Sequence, residues 1–107
     1  MTDVLVVFVT VGNGDEAASI ARTLVEEKLV ACVNIIPQIR SLYWWKGEVC
    51  DDQEVLLLMK TPNGTFDALQ QRIRQLHSYE VPEIIAVAVK RGLPEYLQWV
   101  LQSTSRA

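Results

Sequence analysis

The 107-residue chain predicts an α+β fold, a four-stranded antiparallel sheet with two long helices on one face. Three observations carry this. Strand-like and helix-like stretches alternate in the order βαββαβ, with a short helix to finish. Right-handed crossovers turn that order into the ferredoxin-like plait. The middle two strands read as one very long hairpin, from Ala31 to Thr61 with Lys46-Gly47 at its centre. The first and last strands are apolar on both faces, as strands covered from both sides are.

Residues 3–11, DVLVVFVTV, are the first such strand, rich in β-branched residues. The apolar run follows Asp3 rather than basic residues and is too short for a signal peptide or a membrane span. Gly12-Asn13-Gly14 breaks it, and Asn13 or Asp15 can cap the helix that follows. Its buried stripe is Ala17, Ile20, Ala21, Leu24 and Lys28. In the hairpin, Gly47 is placed to take positive φ in a two-residue turn. That turn sets Trp45 opposite Glu48, Tyr43 opposite Cys50, Ile35 opposite Leu58 and Cys32 opposite Thr61. Cys32 is expected on an inner strand. Pro37 cannot donate to the ladder, so an edge position or a bulge is expected there. Further along, CDDQE (50–54) reads as solvated, whereas VLLLM (55–59) is apolar on both faces.

Thr61-Pro62 reads as a helix entrance, cap then proline. Phe66, Leu69, Ile73 and Leu76 form the buried stripe of that helix, which should stop near His77. Ile84 to Lys90 is the last strand, Leu93 to Leu101 a short final helix, and residues 103–107 a frayed tail. One domain spanning 1–107 accounts for the whole pattern.

Length bears on function. An arm of about 14 residues reaches roughly 45 Å, whereas a domain of this size has a diameter of about 34 Å. The tip, with Tyr43, Trp44 and Trp45, then becomes an exposed aromatic patch unless another chain covers it. Two helices also cover only one face of a sheet that is apolar on both, and no segment is left for the second. Both points predict self-association through the sheet, with function at the seams between subunits.

The formal charge of −3 argues against nucleic acid or anionic membrane as partner. The two cysteines lie too far apart along the ribbon for a disulfide, which points to the cytoplasm.

The stretches LVEEKLVACVNIIP, SLYWWKGEV, EVLLLMKT, HSYEVPEI and YLQWV resemble, in order and spacing, the CutA divalent-cation tolerance family. The resemblance implies a PII-like homotrimer of ferredoxin-like subunits whose hairpins extend into their neighbours. It also implies binding of divalent metal ions, copper foremost. No enzymatic activity is expected, because one histidine and two separated cysteines assemble no nucleophile–base–orienter set. In enterobacterial members the proposed copper ligands are a cysteine ending the first strand and two adjacent histidines ending the second helix. Those positions fall here on Val9, Leu76 and His77, so only His77 carries a ligating side chain. Cys32, Trp45, Glu54, Lys60, His77, Tyr79 and Glu83 match family signature positions and define an expected inter-subunit pocket. In it Glu54, His77 and Glu83 are the metal ligands or proton-exchanging groups. Lys60 balances their charge, and Tyr79 and Trp45 shape the wall. Tyr43, Trp44 and Trp45 are the expected trimer contacts.

Each candidate has a plainer reading. His77, the only histidine, is either a ligand or a helix-ending residue favoured by the macrodipole. Cys32 is a nucleophile only if it meets His77, and otherwise a small buried hydrophobe. Alternation puts Cys50, Asp52 and Glu54 on one face as weak soft and hard ligands, or as an acidic strand that discourages edge pairing. Gly12-Asn13-Gly14 lacks the P-loop lysine, and Asp15 and Glu16 stand where a phosphate would sit. Lys60, ending an apolar strand, should pair with Glu54, Glu83 or a ligand anion. The alternative function is a PII-like sensor that binds a small anionic metabolite and regulates a partner protein; a stable trimeric scaffold is a third. A carboxylate-rich pocket without a free cation favours metal. Lys60 together with an arginine such as Arg72 or Arg74 pointing inward unpaired favours an anion.

Overall fold

The computed structural model of the chain describes residues 2–105. Its elements are β1 (Val4–Val11), α1 (Gly14–Glu26), β2 (Cys32–Trp45), β3 (Glu48–Pro62), a 3-10 turn (Asn63–Thr65), α2 (Phe66–Leu76), β4 (Ile84–Ala88) and α3 (Pro94–Ser103). The strands form one antiparallel sheet in the order β2-β3-β1-β4. This is the ferredoxin-like arrangement expected from the element order, with β1 central and β2 on an edge. Cys32 therefore stands on an edge strand, not an inner one.

One face of the sheet and both long helices make the core. Val7, Val9 and Val11 of β1 and Val55, Leu57 and Met59 of β3 meet Ala17, Ile20 and Leu24 of α1 and Leu69 and Ile73 of α2. Each large side chain buried there contributes roughly 1.5–3 kcal/mol relative to exposure. The cap of α1 is Asn13, whose side chain accepts from the Glu16 N–H at 2.9 Å. Lys28 lies beyond the helix at φ 60° and is exposed, so it leaves the buried stripe. The second helix begins at Phe66 rather than at Thr61-Pro62. Thr61 belongs to β3, fully buried, and its hydroxyl donates to the Leu29 carbonyl at 2.7 Å. The ladder to β1 runs as far as Pro62 and holds Thr61 extended.

The hairpin turns at Lys46 (φ 50°) and Gly47 (φ 81°), both positive as a type I′ turn demands. Register is as expected from Trp45↔Glu48 to Ile39↔Glu54. It then slips by one. Pro37 and Gln38 together face Val55, so Ile35 pairs with Leu57 and Cys32 with Lys60. The cause is the bulge at Pro37, which lacks the N–H a regular ladder needs. The slip has a use, because side-chain alternation starts afresh beyond it. Tyr43 and Trp45 share a face with Glu54, while Val33 and Ile35 keep to the helix-covered side.

The molecule measures 44 × 25 × 22 Å, the hairpin giving it its length. The second sheet face is not left entirely bare, contrary to expectation. Helix α3 contacts β1 and β3, and its Tyr96 hydroxyl lies 3.8 Å from Cys32 Sγ, on the face opposite α1 and α2. Val100 is fully buried there. Ile85 and Val87 of β4 remain more than half exposed, as do Leu42, Trp44 and Val49 near the tip. Residues 103–105 are firmer than the expected frayed tail. Thr104 is buried and its hydroxyl donates to the Val100 carbonyl at 3.0 Å, while Arg106 and Ala107 lie outside the described residues.

Candidate functional site

A cavity of about 850 Å³ opens where the hairpin rises past the loop between α2 and β4. Tyr43, Trp45 and Glu54 of the hairpin line one side, Tyr79, Glu80 and Glu83 of the loop the other, and Thr10 of β1 the floor.

The loop is latched from beneath. Both oxygens of Glu16, in the first turn of α1, are engaged by Ser78: Oε2 by its N–H at 2.9 Å and Oε1 by its hydroxyl at 2.8 Å. His77 is buried beside this latch. Its Nδ1 accepts from the Tyr79 N–H at 3.0 Å, so the ring's proton sits on Nε2 and is donated to the Thr10 carbonyl at 2.7 Å. Both ring nitrogens are thus committed, and neither lone pair is open to a metal. The imidazole instead aims Tyr79, with the two rings 4.7 Å apart.

Tyr79 crosses the cleft and donates to Glu54 Oε2 at 2.7 Å. Burial first, and then this bond, push its phenol well above the ordinary tyrosine value. Glu54 is only 7% exposed, although its stretch of sequence reads as solvated, because the phenol lies over it. A second phenol–carboxylate pair stands beside the first: Tyr43 donates to Asp52 Oδ2 at 2.6 Å, which raises its pKa to about 12. Glu83 is raised as well, by burial and then by the negative charge of Glu54. Gly12 makes room for all this. A Cβ there would lie 3.2 Å from the Tyr79 hydroxyl.

Of the expected pocket, Trp45, Glu54, Tyr79 and Glu83 line the cavity, and His77 sits just behind it. Cys32 and Lys60 do not; they pair with each other near the hairpin's base, beside Tyr96. Lys60 donates to the Asn34 side chain rather than to Glu54 or Glu83. Arg72 is held by Glu27 at 2.9 Å, away from the cleft. Among the described residues, no three His, Cys, Asp or Glu side chains of one chain converge as a metal-holding group, so Glu54, His77 and Glu83 do not form a ready triad. The same holds for Cys50, Asp52 and Glu54. Sequence reasoning missed Thr10, and weighed Gly12 and Glu16 only as parts of a phosphate loop rather than as supports of Tyr79 and Ser78. The break after β1 was legible, but nothing local tied it to a tyrosine far along the chain.

A ferredoxin-like chain with a long hairpin and an acidic, aromatic-walled cleft under it is the class of protein these features define. A family model described as "CutA1 divalent ion tolerance protein" matches residues 5–103. The chain belongs to that family. It is 50% identical over 99 residues to the "Divalent-cation tolerance protein CutA" of Thermus thermophilus, covering 92% of this chain and 96% of that one. It is 50% identical over 97 residues to mouse "Protein CutA", covering 91% of this chain but spanning only 55% of the mouse protein. Its structure resembles the crystal structure of CutA from Xylella fastidiosa with a TM-score of 0.94 at 41% identity, covering 97% of this chain and all of that one. Among the described residues, no helix is long and apolar enough to cross a membrane.

Proposed function

We propose that the protein is a non-enzymatic, cytoplasmic homotrimer that binds divalent metal ions in the acidic cleft, at a seam between subunits. The observation that carries this is the cleft's unbalanced charge. Glu54, Glu80 and Glu83 line it, and the basic residue on its wall, Arg40, is already paired with Asp51 at 2.6 Å. Burial and then the charge of Glu54 raise the cost of ionising Glu83, and a divalent cation between the two carboxylates relieves it. They are the proposed first ligands, with the remaining positions filled by water or by a neighbouring copy. His77 supports Tyr79 and joins the metal only if its ring gives up Thr10 or Tyr79. Copper(II) is the ion to expect at the top of the affinity order for any nitrogen and oxygen site.

Self-association is supported by Trp44, 74% exposed, and by the uncovered Ile85 and Val87. Two free cysteines suit a reducing compartment. The cleft is a poor host for a small anionic metabolite, since Lys60, Arg72 and Arg74 do not line it. An anion sensor is therefore the weaker reading.

Calorimetric titration of metal-stripped protein with Cu(II) and Zn(II) tests the proposal, alongside Glu83→Gln and His77→Ala. Saturable Cu(II) binding that weakens in Glu83→Gln is expected, with stoichiometry kept in His77→Ala. Binding no tighter than about 1 mM, worth only about 4 kcal/mol, refutes it.

A further inference from the structure

The acidic cleft has a feature that a metal ion does not use. Half of its wall is aromatic. Tyr43, Trp45 and Tyr79 are 38%, 40% and 36% exposed, so each ring offers surface to the cavity. Neither Tyr43 nor Trp45 stacks on another ring among the described residues. Both phenols turn their protons away to carboxylates, Tyr43 to Asp52 and Tyr79 to Glu54. A phenol that donates to an anion becomes more electron-rich, which deepens the negative face that attracts cations. Trp45 already receives an ammonium of its own chain, with Lys46 Nζ 5.6 Å from the ring centroid. Carboxylates supply the counter-charge: Glu54 keeps its second oxygen clear of any hydrogen bond from the described residues, and Glu83 lies across the cleft.

We propose that the cleft binds a small organic cation of the quaternary ammonium class, seated between Tyr43, Trp45 and Tyr79 and faced by Glu54 and Glu83. The inference rests on the reading of this cleft as a cation site and extends it to a second kind of cation. A quaternary ion suits this wall better than a primary amine because its methyl groups spread the charge over ring faces, whereas N–H donors would be drawn off the rings to Glu54 Oε1 and Glu83. An ion without N–H donors loses nothing there and gains from ring faces within about 6 Å. The cavity, about 850 Å³, is of a size that encloses a small molecule.

The test uses tetramethylammonium and neopentyl alcohol, a neutral molecule of nearly the same shape. Saturation-transfer NMR on the methyl protons of each is recorded with the full chain, at constant ionic strength. Tetramethylammonium is expected to give a saturable signal, and neopentyl alcohol one at least ~tenfold weaker in affinity. Trp45→Leu should lose the tetramethylammonium signal, Trp45→Phe, which keeps a ring face, should retain most of it, and Glu83→Gln should weaken both the tetramethylammonium and the Cu(II) response. The inference is overturned by no saturable signal to about 100 mM, by equal responses to the two probes, or by an unchanged signal in Trp45→Leu. Cu(II) binding without tetramethylammonium binding removes this inference and leaves the metal reading. Tetramethylammonium binding without Cu(II) binding does the reverse.

Discussion

Replacing Tyr79 by phenylalanine deletes one oxygen and leaves every packing contact of the ring. The lost bond is the 2.7 Å donation to Glu54, a carboxylate only 7% exposed. A hydrogen bond to a charged group contributes about 1.5–3 kcal/mol net. Because Glu54 also faces the cavity, water can reach the abandoned oxygen, which places the loss near the lower end, about 1.5 kcal/mol. For a domain of this size that is a fall in Tm of roughly 6–12 °C. The measurement is a denaturation cycle of Tyr79→Phe, Glu54→Ala and the double variant, at one protein concentration because self-association adds to apparent stability. A coupling of about 1.5 kcal/mol between the two sites is expected. Additivity within ~0.5 kcal/mol would mean that the phenol does not hold Glu54, and the account of the cleft would fall with it. Gly12→Ala probes the same bond from the other side. Its Cβ would crowd the Tyr79 hydroxyl at 3.2 Å, so its cost should shrink when that oxygen is absent.

At the hairpin tip, Lys46 holds φ 50°, a region unfavourable to most residues but tolerated by asparagine. Lys46→Asn should therefore raise stability by about 0.5 kcal/mol, read from the urea midpoint, while Lys46→Val should lower it. The raised Glu83 carboxyl carries a pH dependence of definite sign. The folded chain keeps this proton where the unfolded chain has lost it, so stability from this group is lost as pH rises through the raised value. Glu83→Gln should accordingly gain on the parent as pH rises from the ordinary carboxylate value through the raised one, checked by paired urea curves. A gain toward acid instead would contradict the burial assigned to Glu83.

Element order, the helix stripes apart from Lys28 and the hairpin turn were legible in the sequence because each depends on neighbours within a few residues. Periodicity of apolar residues needs no partner to be read. Lys46-Gly47 declared a two-residue turn, and Pro37 declared an interruption of the ladder. The interruption's consequence was not legible: whether proline ends a strand, sits at an edge or forces a bulge depends on the partner strand. The one-residue slip moved Ile35 from Leu58 to Leu57. Thr61-Pro62 misled for a similar reason, since a capping pair yields to a strand when β1 offers it a ladder.

By itself the sequence determined a ferredoxin-like fold with an unusually long hairpin, and its resemblance to the family marked Trp45, Glu54, Tyr79 and Glu83 as residues to watch. Only the tertiary structure decided that these four share one cavity while Cys32 and Lys60 keep to the hairpin's base. It also set the two His77 ring nitrogens against the Thr10 carbonyl and the Tyr79 N–H. The physical reason is distance along the chain. Helices and strands are chosen by local backbone preference, whereas a phenol reaching a carboxylate 25 residues away depends on how finished elements pack.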